Sequence, residues 1–331
     1  MFNRIGVLGA GAWGTALAYS TQAAGRDVLI WSRETEVADA LNTGNGNPLF
    51  LPDTQLPAIP ATSELSDMSE MDAILAVVPA QFARSVYEQL GDALPAEIPF
   101  ALCAKGVERG SLKLMADVLA ETRPTAPIAV LSGPSFAIDV ATGLPTAVTL
   151  ACRDKALGAE WMESIGRPEF RPYYSDDIIG AEVGGAVKNV LAIACGAVEG
   201  LKLGRSAHAA LISRGFAEMV RLGTAMGARR DTLAGLCGLG DLVLTCSSPQ
   251  SRNMSFGKAL GEGKSVDQIL SERTAVTEGV ATAPGVDALA EKYGVEMPIC
   301  TAVHNILAGH MTLREAMTAL IERPFKAEQL A

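Results

Sequence analysis

Six residues near the start, Gly9-Ala10-Gly11-Ala12-Trp13-Gly14, constrain the fold more than any other feature of this chain. A short apolar run, Arg4–Leu8, precedes them. A helix-like segment at 13–24 follows, and a second apolar run, Asp27–Trp31, closes the unit. In that setting glycines permit a tight strand-to-helix turn, close backbone approach to a pyrophosphate and close packing of helix on sheet. The helix start then offers unpaired N–H groups and the positive end of its dipole to phosphates. The spacing therefore predicts a βαβ unit that opens a dinucleotide-binding domain.

Further short, nearly continuous apolar runs lie at 73–78, 100–103, 128–131 and 146–150, alternating with helix-like segments. Such runs predict parallel strands buried on both faces. Together they describe an α/β, Rossmann-type doubly wound sheet. Beyond about residue 176 strand-like runs become scarce, and 185–197, 207–226 and 282–292 carry apolar positions at helical spacing. A mainly α-helical C-terminal domain is expected there. Two domains suit a chain of 331 residues. Residues 1–180 are assigned to dinucleotide binding and 181–331 to the substrate and catalysis. Residues 42–62, rich in Gly, Asn and Pro, read as a long surface loop, either a lid or an ordinary connection.

Composition limits what such a fold can do. With 49% hydrophobic and 19% charged residues the chain can bury a sizeable core. Lys and Arg number 27 against 37 Asp and Glu, a net charge of −10. That argues against broad binding to nucleic acid or an anionic membrane, while a small anionic ligand needs only a few local cations. The six cysteines form no CxxC pair, and only three histidines occur. No metal and no disulfide framework are expected, and reduced cysteines suit a cytoplasmic protein. Arg4 before an apolar stretch resembles a signal peptide, but Gly6, Gly9, Gly11 and Gly14 interrupt it, as a strand and turn require. No run of about 18 apolar residues suggests a membrane span.

Several side chains carry candidate chemistry. The second strand ends in Trp31 and is followed by Ser32-Arg33-Glu34. Arg33 suits a ribose 2′-phosphate and so NADP, whereas Glu34 suits the ribose hydroxyls of NAD. Lys105 follows a strand end, where the crevice of an open α/β sheet lies. Lys188 stands inside a small, apolar helix-like segment, and desolvation there lowers a lysine's pKa toward neutrality. Reduction of a carbonyl needs such a proton donor. Ser132-Gly133-Pro134-Ser135-Phe136 forms another turn after a strand. Asp241 and Thr245 share a face if 241–246 is helical, and a buried Asp241 would orient a lysine. Ser251-Arg252-Asn253 offers a guanidinium fork and an amide suited to a phosphoryl group. The three histidines, at 208, 304 and 310, lack an acid–base partner nearby in sequence and read as packing or surface residues.

Taken in order, GAGAWGTALA, AKGVE, LSGPSFA, GLPTAV, VGGAVKNV, SRGFAEM, GLGDLVLTC, QSRN and TEGV resemble the NAD(P)-dependent glycerol-3-phosphate dehydrogenase family in its bacterial soluble form. The resemblance spans nearly the whole chain. It implies reversible reduction of dihydroxyacetone phosphate to sn-glycerol 3-phosphate, with NADPH or NADH and no metal, feeding glycerophospholipid synthesis. It also implies a homodimer. Carried over by motif, Lys188 is the proton donor and acceptor, and Lys105 touches substrate and cofactor and polarises the carbonyl. Asp241 belongs with them. Gly133, Ser135, Asn189, Thr245 and Ser251 belong to the substrate pocket, and Arg252 with Asn253 holds the phosphate. Gly9, Gly11, Ala12, Trp13, Gly14, Arg33, Ala137, Arg252, Val276 and Glu278 face the cofactor. Many members carry Thr where this chain has Ser135, which keeps the hydroxyl. Two other readings remain: a dehydrogenase of another 2-hydroxy or sugar acid, in which Arg252 meets a carboxylate, and a nucleotide sensor without turnover, which needs no interior lysine.

Overall fold

Eight strands, β1 (Arg4–Leu8), β2 (Asp27–Trp31), β3 (Ala61–Thr62), β4 (Ala73–Ala76), β5 (Phe100–Leu102), β6 (Ile128–Ser132), β7 (Thr146–Cys152) and β8 (Phe170–Ser175), form one sheet in the computed structural model, which describes residues 1–273 and 276–324. Their order is β3-β2-β1-β4-β5-β6-β7-β8, so the winding reverses between β1 and β4, the switch point where doubly wound sheets bind ligands. The central strands are short and buried on both faces, as their unbroken apolar runs require. All pairings are parallel except β6 with β7. The link between those two carries only the short helix Ala137–Ala141, which packs on Ala12–Ala23 rather than travelling the length of the sheet.

The chain divides into two units, Met1–Ala104 with Met115–Ile178, and Lys105–Leu114 with Ile179–Ala331. The sheet and its helices make the first. Residues 42–62 depart from the surface loop expected. Asn47, Leu51, Leu56 and Ile59 are buried there, because the segment folds back over the β2 edge and ends as β3.

Helices alone make the regular structure of the second unit among the described residues. Its core helix is Ile178–Gly200, surrounded by Arg205–Ala225, Asp241–Ser247, Arg252–Gly261, Glu278–Lys292 and Pro298–Leu307. Ile178–Gly200 is the one described helix with the length and apolar composition to cross a membrane, and its apolar stretch is 89% buried inside the protein. Glycine sets a close helix crossing. A side chain at Gly196 would strike the Met254 carbonyl, and one at Gly257 would strike the Ile193 carbonyl. Residues 105–114 follow β5 in sequence yet place Val107 and Leu114 in this helical core. All six cysteines are buried free thiols.

Candidate active site

In the first unit the glycine turn joins β1 to the helix Ala12–Ala23, with Gly11 at its N-cap. Gly9 sits at φ +109°, a conformation that disfavours other residues, and an added methyl would press on the Val77 carbonyl. At Gly14 a methyl would collide with the Gly9 carbonyl, whereas nothing lies within 4 Å of one placed at Gly11. Gly9 and Gly14 thus close the turn, and Gly11 keeps its outer side open. Beside them Trp13 packs against Phe170, and its buried Nε1 has no protein acceptor.

Asn47 supports this turn from the 42–62 segment. Its Nδ2 donates to the Ala10 carbonyl and to Thr15 Oγ1, both at 2.8 Å, while its Oδ1 accepts from the Phe50 N–H. Sequence reasoning missed this residue, and an Asn in a Gly/Asn-rich stretch offers no signal that would have found it. Past the end of β2, Arg33 is exposed and paired with Glu34 at 2.6 Å. The two groups that would read the ribose therefore hold each other. At the end of β6, Gly133 sits at φ +147°, and Ser135 Oγ donates back to its carbonyl at 3.1 Å. Ala137 opens the short helix that packs on Ala12–Ala23.

The second unit gathers the titratable residues. Asp241, only 1% exposed, accepts from Lys188 Nζ at 2.5 Å through one oxygen and from Lys105 Nζ at 2.8 Å through the other. Lys188, 7% exposed, also donates to Thr245 Oγ1 at 2.9 Å. Asp241 and Thr245 do share a face of Asp241–Ser247. A π-helical turn, Leu236–Gly240, leads into that helix and packs so closely that a side chain at Gly184 would strike the Cys237 carbonyl. Such turns recur at functional sites because they re-aim the side chains that follow.

Around this triad lie Asn189, Asn253 and Glu278. Asn189 Nδ2 donates to the Lys105 carbonyl at 3.1 Å and lies 3.5 Å from a Glu278 oxygen. Asn253 bridges Asn189 and the Gly279 N–H. Ser251 caps Arg252–Gly261 by accepting from the Met254 N–H, and Arg252 is exposed in the first turn. Val276 is exposed, two residues before Glu278.

Burial dominates the electrostatics. It pulls the Lys188 pKa down to about 8, and the like charge of Lys105 helps, while Asp241 and Glu278 oppose it. Burial also raises the Glu278 carboxyl above its usual range, opposed by Arg252, Lys105 and Lys188. Two ammonium groups, one carboxylate between them and a hydroxyl make a site that can release or take a proton near neutral pH. Among the described residues no cluster of His, Cys, Asp and Glu is arranged to hold a metal.

Comparison with known proteins covers nearly the whole chain. Residues 4–158 match the N-terminal part, and 177–318 the C-terminal part, of NAD-dependent glycerol-3-phosphate dehydrogenase. The chain is 61% identical over 328 residues to the glycerol-3-phosphate dehydrogenase [NAD(P)+] of Maricaulis maris, covering 99% of this chain and 98% of that protein. The chain belongs to the NAD-dependent glycerol-3-phosphate dehydrogenase family. The Caulobacter vibrioides enzyme of the same name is 58% identical, with 99% of each chain covered. The crystal structure of glycerol-3-phosphate dehydrogenase from Coxiella burnetii superposes with a TM-score of 0.93 at 40% identity, over 97% of this chain and 99% of that one. As a glycerol-3-phosphate dehydrogenase family member the protein is an oxidoreductase that uses NAD(P), and the family reaction is the reversible reduction of dihydroxyacetone phosphate to sn-glycerol 3-phosphate. The open side of Gly11 and the unsatisfied indole N–H of Trp13 fit a dinucleotide at the β1 turn.

Proposed function

We propose that Lys188 is the proton donor and acceptor of this reaction, and the observation that carries the reading is its buried ion pair with Asp241. A bound nicotinamide cofactor supplies or accepts the hydride. As the ketone carbon becomes an alcohol carbon, its oxygen gains a pair of electrons, and Lys188 Nζ gives that oxygen a proton. In the reverse direction neutral Lys188 removes the hydroxyl proton. Lys105 polarises the carbonyl, Asp241 keeps both ammonium groups in place, and Thr245 helps to hold that of Lys188. Arg252 with Asn253, at the start of Arg252–Gly261, holds the substrate phosphate, where a helix N-terminus favours an anion, and Ser251 lies in the same substrate pocket. Binding energy from that remote group positions the carbonyl without joining the bond changes. The local cations also explain how an acidic protein takes an anionic substrate.

In the same reading Gly9, Gly11, Ala12, Trp13, Gly14, Arg33, Ala137, Val276 and Glu278 serve the cofactor, with Gly133 and Ser135 beside the substrate. Residues 1–180 bind the dinucleotide, 181–331 bind substrate, and the enzyme works as a cytoplasmic homodimer supplying glycerophospholipid synthesis.

The pH profile tests the proton-transfer assignment. Reduction needs protonated Lys188, so its kcat/KM should be flat at low pH and fall tenfold per unit above about 8. Oxidation needs the neutral amine, so its kcat/KM should rise to a plateau near the same pH. A reduction profile still flat at pH 10 would rule Lys188 out.

Cofactor choice is tested at Arg33. Loss of a charge-assisted contact to a 2′-phosphate is worth about 1.5–3 kcal/mol, so Arg33→Ala should raise KM for NADPH by about tenfold or more and leave NADH nearly unchanged. Equal rises for the two would show that Arg33 does not read the phosphate.

A further inference from the structure

Every polar hydrogen and the oxygen of the Asn47 amide have a partner inside the protein, where the residue is 1% exposed. Its two N–H groups go to the Ala10 carbonyl and to Thr15 Oγ1, each at 2.8 Å, and its Oδ1 accepts from the Phe50 N–H at 3.0 Å. A carbonyl on one side and an N–H on the other leave the amide one orientation, since a flipped Asn47 would set its oxygen against the Ala10 oxygen. Thr15 Oγ1, which accepts from Asn47, donates in turn to the same carbonyl at 3.4 Å. The backbone beside Asn47 is fixed as well. The Leu51 N–H closes on the Asn47 carbonyl at 3.0 Å, and a methyl at Gly46 would sit 2.7 Å from the Thr54 carbonyl.

Ala10 lies between Gly9 and Gly11, so its carbonyl shares a peptide unit with the Gly11 N–H. A trans peptide is planar, with its C=O and N–H pointing in opposite directions. Holding the Ala10 oxygen toward Asn47 and Thr15 therefore turns the Gly11 N–H away from them, and it meets no backbone acceptor among the described residues. Gly11 is also the N-cap of Ala12–Ala23, with nothing within 4 Å of a methyl placed on it. An N–H kept free there joins the helix-start N–H groups that an anion would meet. Glycine neighbours leave such a peptide free to adopt other orientations. Turned over, it would present a carbonyl, and so partial negative charge, to the anion.

We propose that Asn47 is a positioning residue for the dinucleotide: by fixing the Ala10–Gly11 peptide it keeps the Gly11 N–H available to the cofactor's pyrophosphate, a role that rests on the reading of the β1 turn as the cofactor site. Residues 42–62 then brace that turn as well as connecting two strands.

Binding and turnover separate this role from a merely structural one. NADH, NADPH and ADP-ribose carry the same pyrophosphate, so Asn47→Ala should raise the Kd of all three, measured by calorimetry, by one common factor of about tenfold. kcat at saturating cofactor and KM for dihydroxyacetone phosphate should stay within about twofold of wild type. Unchanged binding of the three ligands, or a fall in kcat with their affinity intact, would overturn the proposal. Asn47→Asp has the same shape and keeps the acceptor for the Phe50 N–H, but sets an oxygen against the Ala10 carbonyl. It repeats the test should the alanine variant fold poorly. At about pH 8, where an ordinary aspartate is ionised, it should bind all three ligands at least as weakly as the alanine variant. Wild-type affinity there would show that the hold on Phe50 is what matters, and would overturn the role given to Ala10. Gly11→Asp keeps the two readings apart. Aspartate is a favoured N-cap residue and the space around Gly11 is open, so the fold should accept it while its carboxylate repels the pyrophosphate. If its cofactor affinity matches wild type, the reading of the β1 turn fails and the Asn47 proposal with it. If it loses the cofactor while Asn47→Ala does not, only the role of Asn47 fails.

Discussion

Lys188→Met should lower kcat for dihydroxyacetone phosphate reduction by about 10²–10⁴, the usual worth of a positioned general acid, with cofactor affinity nearly unchanged. Methionine fills much of the volume of the lysine stem, and that stem is buried in the helical core. Asp241 keeps Lys105 as its partner at 2.8 Å, so no buried carboxylate is stranded. Removing one partner of a buried ion pair is costly where it strands the other charge, and here Lys105 still meets the carboxylate. The fall in rate therefore reports lost proton transfer and not lost structure. Thermal melting of the variant should stay within a few degrees of wild type, and cofactor titration followed by Trp13 fluorescence should give a similar Kd. A kcat within threefold of wild type would show that another group, or water, protonates the alkoxide.

A feature of this protein is legible in its sequence where the cause of that feature is local. The glycine turn is legible for that reason: it demands a positive φ at Gly9 and leaves no room for a side chain at Gly14. The central strands are legible because burial on both faces forces unbroken apolar runs. The edge strands are not. β3 has two residues, and β8 carries Pro172 and is exposed at half of its positions, as an edge tolerates. Nor is the reversal of β7 legible, since direction depends on how the chain returns and not on the strand's own composition. In the site, the shared face of Asp241 and Thr245 follows from four-residue spacing, whereas the pairing of Asp241 with Lys188 joins positions 53 apart and has no local signature. The attachment of residues 105–114 to the helical unit, the π-helical turn before Asp241 and the support of the glycine turn by Asn47 are likewise products of tertiary packing. Resemblance to a family supplies residue roles that spacing alone cannot.

Asp241→Asn should be the most damaging single change to the helical unit, and its effect should depend on pH in a defined direction. The carboxylate lies between two ammonium groups, at 2.5 and 2.8 Å, and is 1% exposed. Neutralising it leaves two like charges in a poorly solvated site, with Thr245 bonded to Lys188 and the Glu278 carboxyl opposing them only in part. Stranding a buried charge costs about 3–5 kcal/mol, roughly 10 °C of melting temperature for a domain of this size. Lys188 can escape the penalty by losing its proton. Its pKa is already lowered by burial, and the negative charge of Asp241 is the largest influence holding it up to about 8. Without that charge the folded-state pKa falls further, while the unfolded value stays near that of an ordinary lysine. Between the two values the unfolded chain binds more protons than the folded one, so stability must rise with pH across that window. The difference in melting temperature between wild type and Asp241→Asn should therefore be large at pH 6 and shrink toward pH 9.5. Activity follows the same shift, with the alkaline limb of the reduction profile moving to lower pH. A destabilisation of equal size at both pH values would mean that Asp241 acts through packing and hydrogen-bond geometry, and that its charge does not set the proton affinity of Lys188.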